Sequence, residues 1–282
     1  MSAEQAQFES AAARGLARVA VLSAAAVYGV YAALRVWQPQ LAGFALVGAF
    51  LFVPLLALRR RPDLARRFEV GPESPIPPWS WNGARGAGVA VLAVMPLFAL
   101  GFWWFYAAAC GSEGSAPGAV VTALSELELQ VIGSERVNDF VRGVCTRHEG
   151  GLLPSSIRVP ASWSDWATGG WVVVILVEVL VVAVPEEVFH RGYLMSALEA
   201  RWPPRTRVLG VPLGLGAVLS SALFALGHLV GDMRVDRLAT FFPALLFAWL
   251  WRRTGSLWAP VLFHAAANLL MQVVLASTFP SP

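Results

Sequence analysis

Lysine is absent from this chain of 282 residues, and all 21 basic residues are arginine. Charge of either sign is scarce, at 14% of residues, where soluble domains carry about 25%. That scarcity excludes an ordinary water-soluble domain. Only two cysteines occur, Cys110 and Cys145, with no CxxC and no Cys/His zinc spacing. A disulfide-dense secreted scaffold is excluded as well. A net charge of +3 invites a nucleic-acid reading. Placement argues against it, because the arginines gather at the ends of apolar runs rather than along one face. The opening stretch, MSAEQAQFESAAARG, is polar and acidic before Arg14 and does not resemble a cleaved signal peptide.

What the chain has instead is hydrophobic length. Apolar residues make up 57%, with a mean hydropathy of +0.60. The runs fall at about 16–36, 41–58, 86–109, 168–190, 211–230, 238–252 and 256–278, each near the length a bilayer-spanning helix needs. The expected fold is an all-α, polytopic membrane helix bundle of about seven spans. Six arginines between residues 59 and 85 mark a cytoplasmic face, which puts the N-terminus inside and the C-terminus outside. Arg234 and Arg237 land outside against that rule, with Asp232 and Asp236 beside them. Three regions follow: N-terminal transmembrane helices (1–110), an extramembrane loop with a short amphipathic helix (111–167), and a helical bundle (168–282). In the loop, Leu124, Leu127, Val131 and Val137 form the apolar face of that helix. Cys110 and Cys145 flank it, as a disulfide or as two free thiols.

Titratable side chains at membrane depth are costly, at roughly 2.5–3.5 kcal/mol or more, and are therefore rare and functional by default. Several occur here. In the fourth span, VPEEVFHRGYL places Glu187 and Arg191 four apart, on one helix face where they pair. Glu186 is turned about 100° away, toward the bundle interior. Pro185 lacks an N–H and kinks the helix beside them. The fifth span carries Phe224 and His228, and the seventh carries His264 and Asn268, each pair again four apart. An imidazole and an amide one turn apart both reach a single oxygen and stabilise an oxyanion there. Each part has a plainer reading. The Glu/Glu/Arg cluster is also a span end, a lone buried histidine is also a satisfied core residue, and His264 with Asn268 also serves as interhelical hydrogen-bonding glue. Glu178, two turns before Glu186, lines the same cavity, sits near the outer interface or pairs across helices.

The order EExxxR, FxxxH, HxxxN, one motif per apolar helix, resembles the CPBP family of intramembrane proteases, which includes CAAX-processing endopeptidases related to the Ras-converting enzyme. The matching residues are Glu186-Glu187-Val188-Phe189-His190-Arg191, Phe224 to His228, and His264 to Asn268. The resemblance spans about 171–275 and leaves the first 165 residues unmatched. It implies proteolysis of a membrane-anchored protein or peptide substrate within the bilayer. Glu186 would activate water, His228 would assist or position it, and His264 with Asn268 would support the oxyanion. Glu187, Arg191 and Phe224 would hold these groups in place. The resemblance leaves the metal open: Glu186, His228 and His264 are the ligand types of catalytic zinc, and the metal-free, glutamate-activated route is preferred because the three come from three helices. An all-arginine, Ala/Gly/Val-rich composition points to a GC-rich bacterium and its inner membrane. There a protease acting near C-terminal hydrophobic sorting signals, resembling the myxosortase branch, fits better than a CAAX prenyl-protein endopeptidase. Bacteriocin self-immunity and a non-catalytic membrane scaffold are the other readings. The sequence leaves the oligomeric state open.

Overall fold

Long runs of Ala, Val and Leu without two-residue alternation build helices, because only intra-segment hydrogen bonds satisfy the backbone in a lipid environment. A computed structural model describes residues 3–70, 76–110, 156–163 and 169–279. Its helices are α1 (Ala3–Trp37), α2 (Pro39–Leu58), α3 (Pro62–Arg67) and α4 (Trp81–Cys110). A composite helix, α5, covers residues 170–201, and α6 (Leu215–Asp232), α7 (Phe241–Thr254) and α8 (Trp258–Thr278) complete the set. Among the described residues, five helices are long and apolar enough to cross a membrane: Ala11–Trp37, Pro39–Leu58, Trp81–Tyr106, Leu215–Asp232 and Trp258–Thr278. The sixth expected span is α7, with 14 residues. The amphipathic loop helix and Cys145, and with it any pairing to Cys110, lie outside the described residues.

Hydropathy ends the fourth span at residue 190, yet α5 continues to Arg201. Arg191 does not stop it because Glu187 neutralises that charge inside the helix, at 3.2 Å. Leu194, Met195, Ala197 and Leu198 then extend the buried face, and Pro203-Pro204 end the run. The helix is not uniform. Val177–Ala183 and Val188–Met195 are π-helical, with α-helical Val184–Glu187 between them. Pro185 sits at the return from the first π segment, where its missing N–H is accommodated by the altered register. A two-stranded hairpin follows, β1 (Thr206–Val208) against β2 (Val211–Leu213). Leu209 and Gly210, both at positive φ (49° and 79°), make its tight turn. The fifth span begins at Leu215, the later start that the cluster of Pro212, Gly214 and Gly216 in the sequence favours.

The chain divides into two units, Met1–Val89 with Leu176–Ala265, and Ala90–Ile175 with Ala266–Pro282. This interleaves the chain-order regions expected from hydropathy. In the first unit, α1 packs on α2, α5 and α6, while α6 also packs on α5 and α7. Its core includes Phe50, Phe189, Tyr193, Leu194, Met195 and Trp251, each almost wholly buried. The start of α4 lies against the turn before α8: a side chain at Gly86 would overlap Thr254, and Asn82 Nδ2 donates to the Thr254 carbonyl at 2.6 Å. The Arg234 and Arg237 charges are paired, with Asp236 and Asp232 respectively. In the second unit, the Arg158 N–H donates to Ser277 Oγ at 2.8 Å and Trp163 Nε1–H to Gln272 Oε1 at 3.1 Å. Both bonds fasten the segment 156–163 to the end of α8.

Candidate active site

Depth decides whether residues on separate helices meet. A side chain at Gly216 would press on the backbone of Met195 and Glu199, which levels the start of α6 with the end of α5. From that level, twelve residues along α6 lead to His228, and twelve back from Leu198 lead to Glu186. Each path is about 18 Å at 1.5 Å per residue. On the third helix, Leu257 packs beside Gly192. Seven residues further along α8, His264 has climbed to the level of Glu187. A span starting at 211 would carry His228 about 17 residues, or roughly 25 Å, toward the other face; the longer α5 and the later start of α6 bring it level with Glu186 instead.

The side chains do converge. Glu187 is fully buried and works in two directions: Oε2 lies 3.2 Å from Arg191 Nε, and Oε1 lies 2.9 Å from His264 Nδ1. A carboxylate only accepts, so His264 Nδ1 carries a proton and Nε2 is turned to the other side. There it stands 3.9 Å from Glu186 Oε2, a separation that one bridging water fits better than a direct bond. Glu186 Oε2 is itself buried and makes no hydrogen bond to protein. His228 is oriented in the same way, its Nδ1–H donating to the Phe224 carbonyl at 3.1 Å. Glu186 and His228 line one cavity of about 110 Å³, with His190, Tyr28, Tyr31 and Asp232 also in its wall. At about 30 Å³ per water, the space holds a few water molecules.

Aromatic rings hold this polar set in place. Phe224 lies among three imidazoles, with centroid distances of 4.5 Å to His228, 5.0 Å to His190 and 5.9 Å to His264. Phe247 stacks on His264 at 4.8 Å and 19°. The Arg191 guanidinium covers both faces, 4.5 Å from Phe224 and 5.0 Å from Phe247, and its Nη2–H donates to the Ala244 carbonyl at 3.0 Å. Arginine suits this position because one planar cation both stacks and forks.

Residues 168–270 match a family model described as type II CAAX prenyl endopeptidase Rce1-like. This stretch is an Rce1-like segment of the CPBP family. No curated protein and no solved structure matches the chain. The family is one of proteases, and five apolar helices accompany the match, so the chain is a multi-pass membrane protein.

Within the Rce1-like segment, six of the expected residues meet: Glu186, Glu187, Arg191, Phe224, His228 and His264. Asn268 lies one helical turn past His264 on α8, in the second unit. Glu178 does not line the cavity. Glu186, His228 and His264 are the donors a zinc ion would need. Among the described residues, however, no three His, Cys, Asp or Glu side chains are grouped as a metal centre requires. Two cavity residues were not legible in the motifs. His190 stands inside EExxxR without an assigned role, and the only hint was its spacing of four from Glu186. Tyr28 lies in an apolar run 158 residues earlier, with no signal at all.

Proposed function

We propose that this protein is an intramembrane endopeptidase in which Glu186 activates water to cleave a membrane-anchored protein near a C-terminal hydrophobic signal. One observation carries this reading: Glu186 lines a small cavity with His228, and its Oε2, which makes no hydrogen bond, stands 3.9 Å from His264 Nε2. Water held between them loses a proton to Glu186 as its oxygen attacks the scissile carbonyl carbon. His228, its Nδ1–H tied to Phe224, presents Nε2 to the same cavity and orients that water. The tetrahedral oxyanion is stabilised by His264, when its Nε2 is protonated. Glu186 then returns its proton to the leaving amine as the C–N bond breaks. Glu187 and Arg191 fix the His264 ring and hold the helices together.

The substrates proposed are bacterial inner-membrane proteins with a C-terminal hydrophobic helix and an arginine tail, as in the myxosortase branch. The description of the matched family favours a second substrate class, prenylated CAAX peptides. Both are tested with the full chain in nanodiscs, by offering a helix-plus-arginine substrate and a farnesylated CAAX peptide and finding the cut site by mass spectrometry. Glu186→Gln should lower turnover by about 10²–10⁴-fold, the range for loss of a general base, while keeping the thermal midpoint. Unchanged turnover in that variant defeats the mechanism. Cleavage of the farnesylated peptide alone transfers the reading to the second class.

A further inference from the structure

The cavity is not built by the Rce1-like segment alone. Tyr28 and Tyr31 come from α1, and Leu46 and Phe50 from α2, outside the matched residues 168–270. Tyr28 Oη lies 2.6 Å from His190 Nε2, and His190 Nδ1 lies 2.9 Å from the Glu186 carbonyl oxygen. A carbonyl only accepts, so the Nδ1 proton points at Glu186. In the neutral ring Nε2 is then the acceptor, and the Tyr28 hydroxyl donates to it. The phenol proton is thereby committed, and the remaining lone pairs of Oη can only accept, on a residue that lines the cavity.

The pair is held on every side. His190 is buried among Phe50, Phe189 and Phe224, and its own carbonyl accepts from Ser220 Oγ at 2.7 Å. Opposite, the Tyr28 ring rests on Gly227, where any Cβ would overlap the ring and hydroxyl. Gly231, one turn on, lies beside Tyr31, where an added Cβ would only touch its hydroxyl at 3.6 Å. The sequence Gly227-His228-Leu229-Val230-Gly231 thus makes a groove that admits α1. It sets Tyr28 against the residue next to His228. Tyr28 is thereby among the residues that line the wall Glu186 and His228 share.

We propose that Tyr28 is a further substrate-contacting residue, its phenol oxygen accepting a hydrogen bond from a substrate backbone N–H laid along the cavity beside Glu186 and His228. His190 is the positioning residue that takes the Tyr28 proton and so sets the polarity of that oxygen. The proposal rests on the endopeptidase reading.

The test is steady-state cleavage of the substrate by the full chain in nanodiscs, with KM and kcat resolved. Tyr28→Phe removes one oxygen and keeps the ring; it should raise KM about 5–30-fold, the effect of one lost hydrogen bond, and leave kcat within about twofold. His190→Phe keeps an aromatic ring in the same pocket and should raise KM in the same direction. It serves as the second variant should Tyr28→Phe fold poorly. Gly227→Ala should also raise KM, and adding it to Tyr28→Phe should bring little more. Wild-type KM in Tyr28→Phe, or a lowered thermal midpoint without a kinetic change, overturns the Tyr28 assignment alone. Unchanged cleavage by Glu186→Gln, or none by wild type on either substrate class, defeats the endopeptidase reading and the proposal with it.

Discussion

Replacing Arg191 by methionine should be among the most damaging single changes in the molecule, for a reason that a second substitution can isolate. Arg191 is 1% exposed and Glu187 is 0% exposed, so removing the cation leaves an uncompensated carboxylate shielded from bulk solvent. Breaking a buried pair from one side costs about 3–5 kcal/mol, a shift of roughly 10²–10⁴ in the folding equilibrium. The substitution also removes the donor to the Ala244 carbonyl, which makes a bond of 3.0 Å. Pairing Arg191→Met with Glu187→Leu deletes both charges together. What remains are two lost hydrogen bonds, to Ala244 and to His264, each worth about 1 kcal/mol. The double variant should therefore be destabilised by about 2 kcal/mol, less than Arg191→Met alone. Unfolding of the purified protein in mixed detergent, followed by tryptophan fluorescence, measures all four corners of this cycle. If the double variant loses as much as the two single variants added together, the pair is not coupled and the account of Glu187 fails. Activity should not return with stability, because His264 would have lost the carboxylate that orients it.

Two further predictions test the frame around the site. Glu69, at φ 54° between α3 and α4, accepts the Leu257 N–H at 2.5 Å, and its burial raises its carboxyl above the ordinary range despite that bond. A raised acid favours the fold when protonated, so its contribution is full below the unfolded pKa and is lost as pH rises through the folded one. Glu69→Gln keeps the acceptor without the charge; it should melt higher than wild type near neutrality, with the gap closing in acid, and a pH-independent gap would contradict this. Two glycines should respond to alanine with opposite signs in the same melting assay. Gly15 has nothing within 4 Å of an added Cβ and should gain up to about 1 kcal/mol from helix propensity. At Gly216 the Cβ would meet the Glu199 N at 3.0 Å and the Met195 O at 3.2 Å. Backbone cannot yield cheaply, so a cost of about 1–3 kcal/mol should outweigh the propensity gain, and a stabilised Gly216→Ala would show that the two helices are not in close contact.

The sequence by itself determined the class of the molecule and named the carboxylates, imidazoles and arginine of the motifs, though not Tyr28 or a role for His190. Apolar runs admit only helices in lipid, and spacings of four place Glu187 with Arg191, Phe224 with His228, and His264 with Asn268 on common faces whatever the bundle does. Tertiary structure alone decided which of these faces meet and at what depth. Arg191 reads as the end of a span until Glu187 neutralises it and the helix runs on to Arg201; only that extension places Glu186 level with His228. The link from Glu187 to His264 crosses 77 residues, and that from Tyr28 to His190 crosses 162. No local periodicity encodes either contact, because both arise from helices packing through glycines whose only signature is a missing side chain.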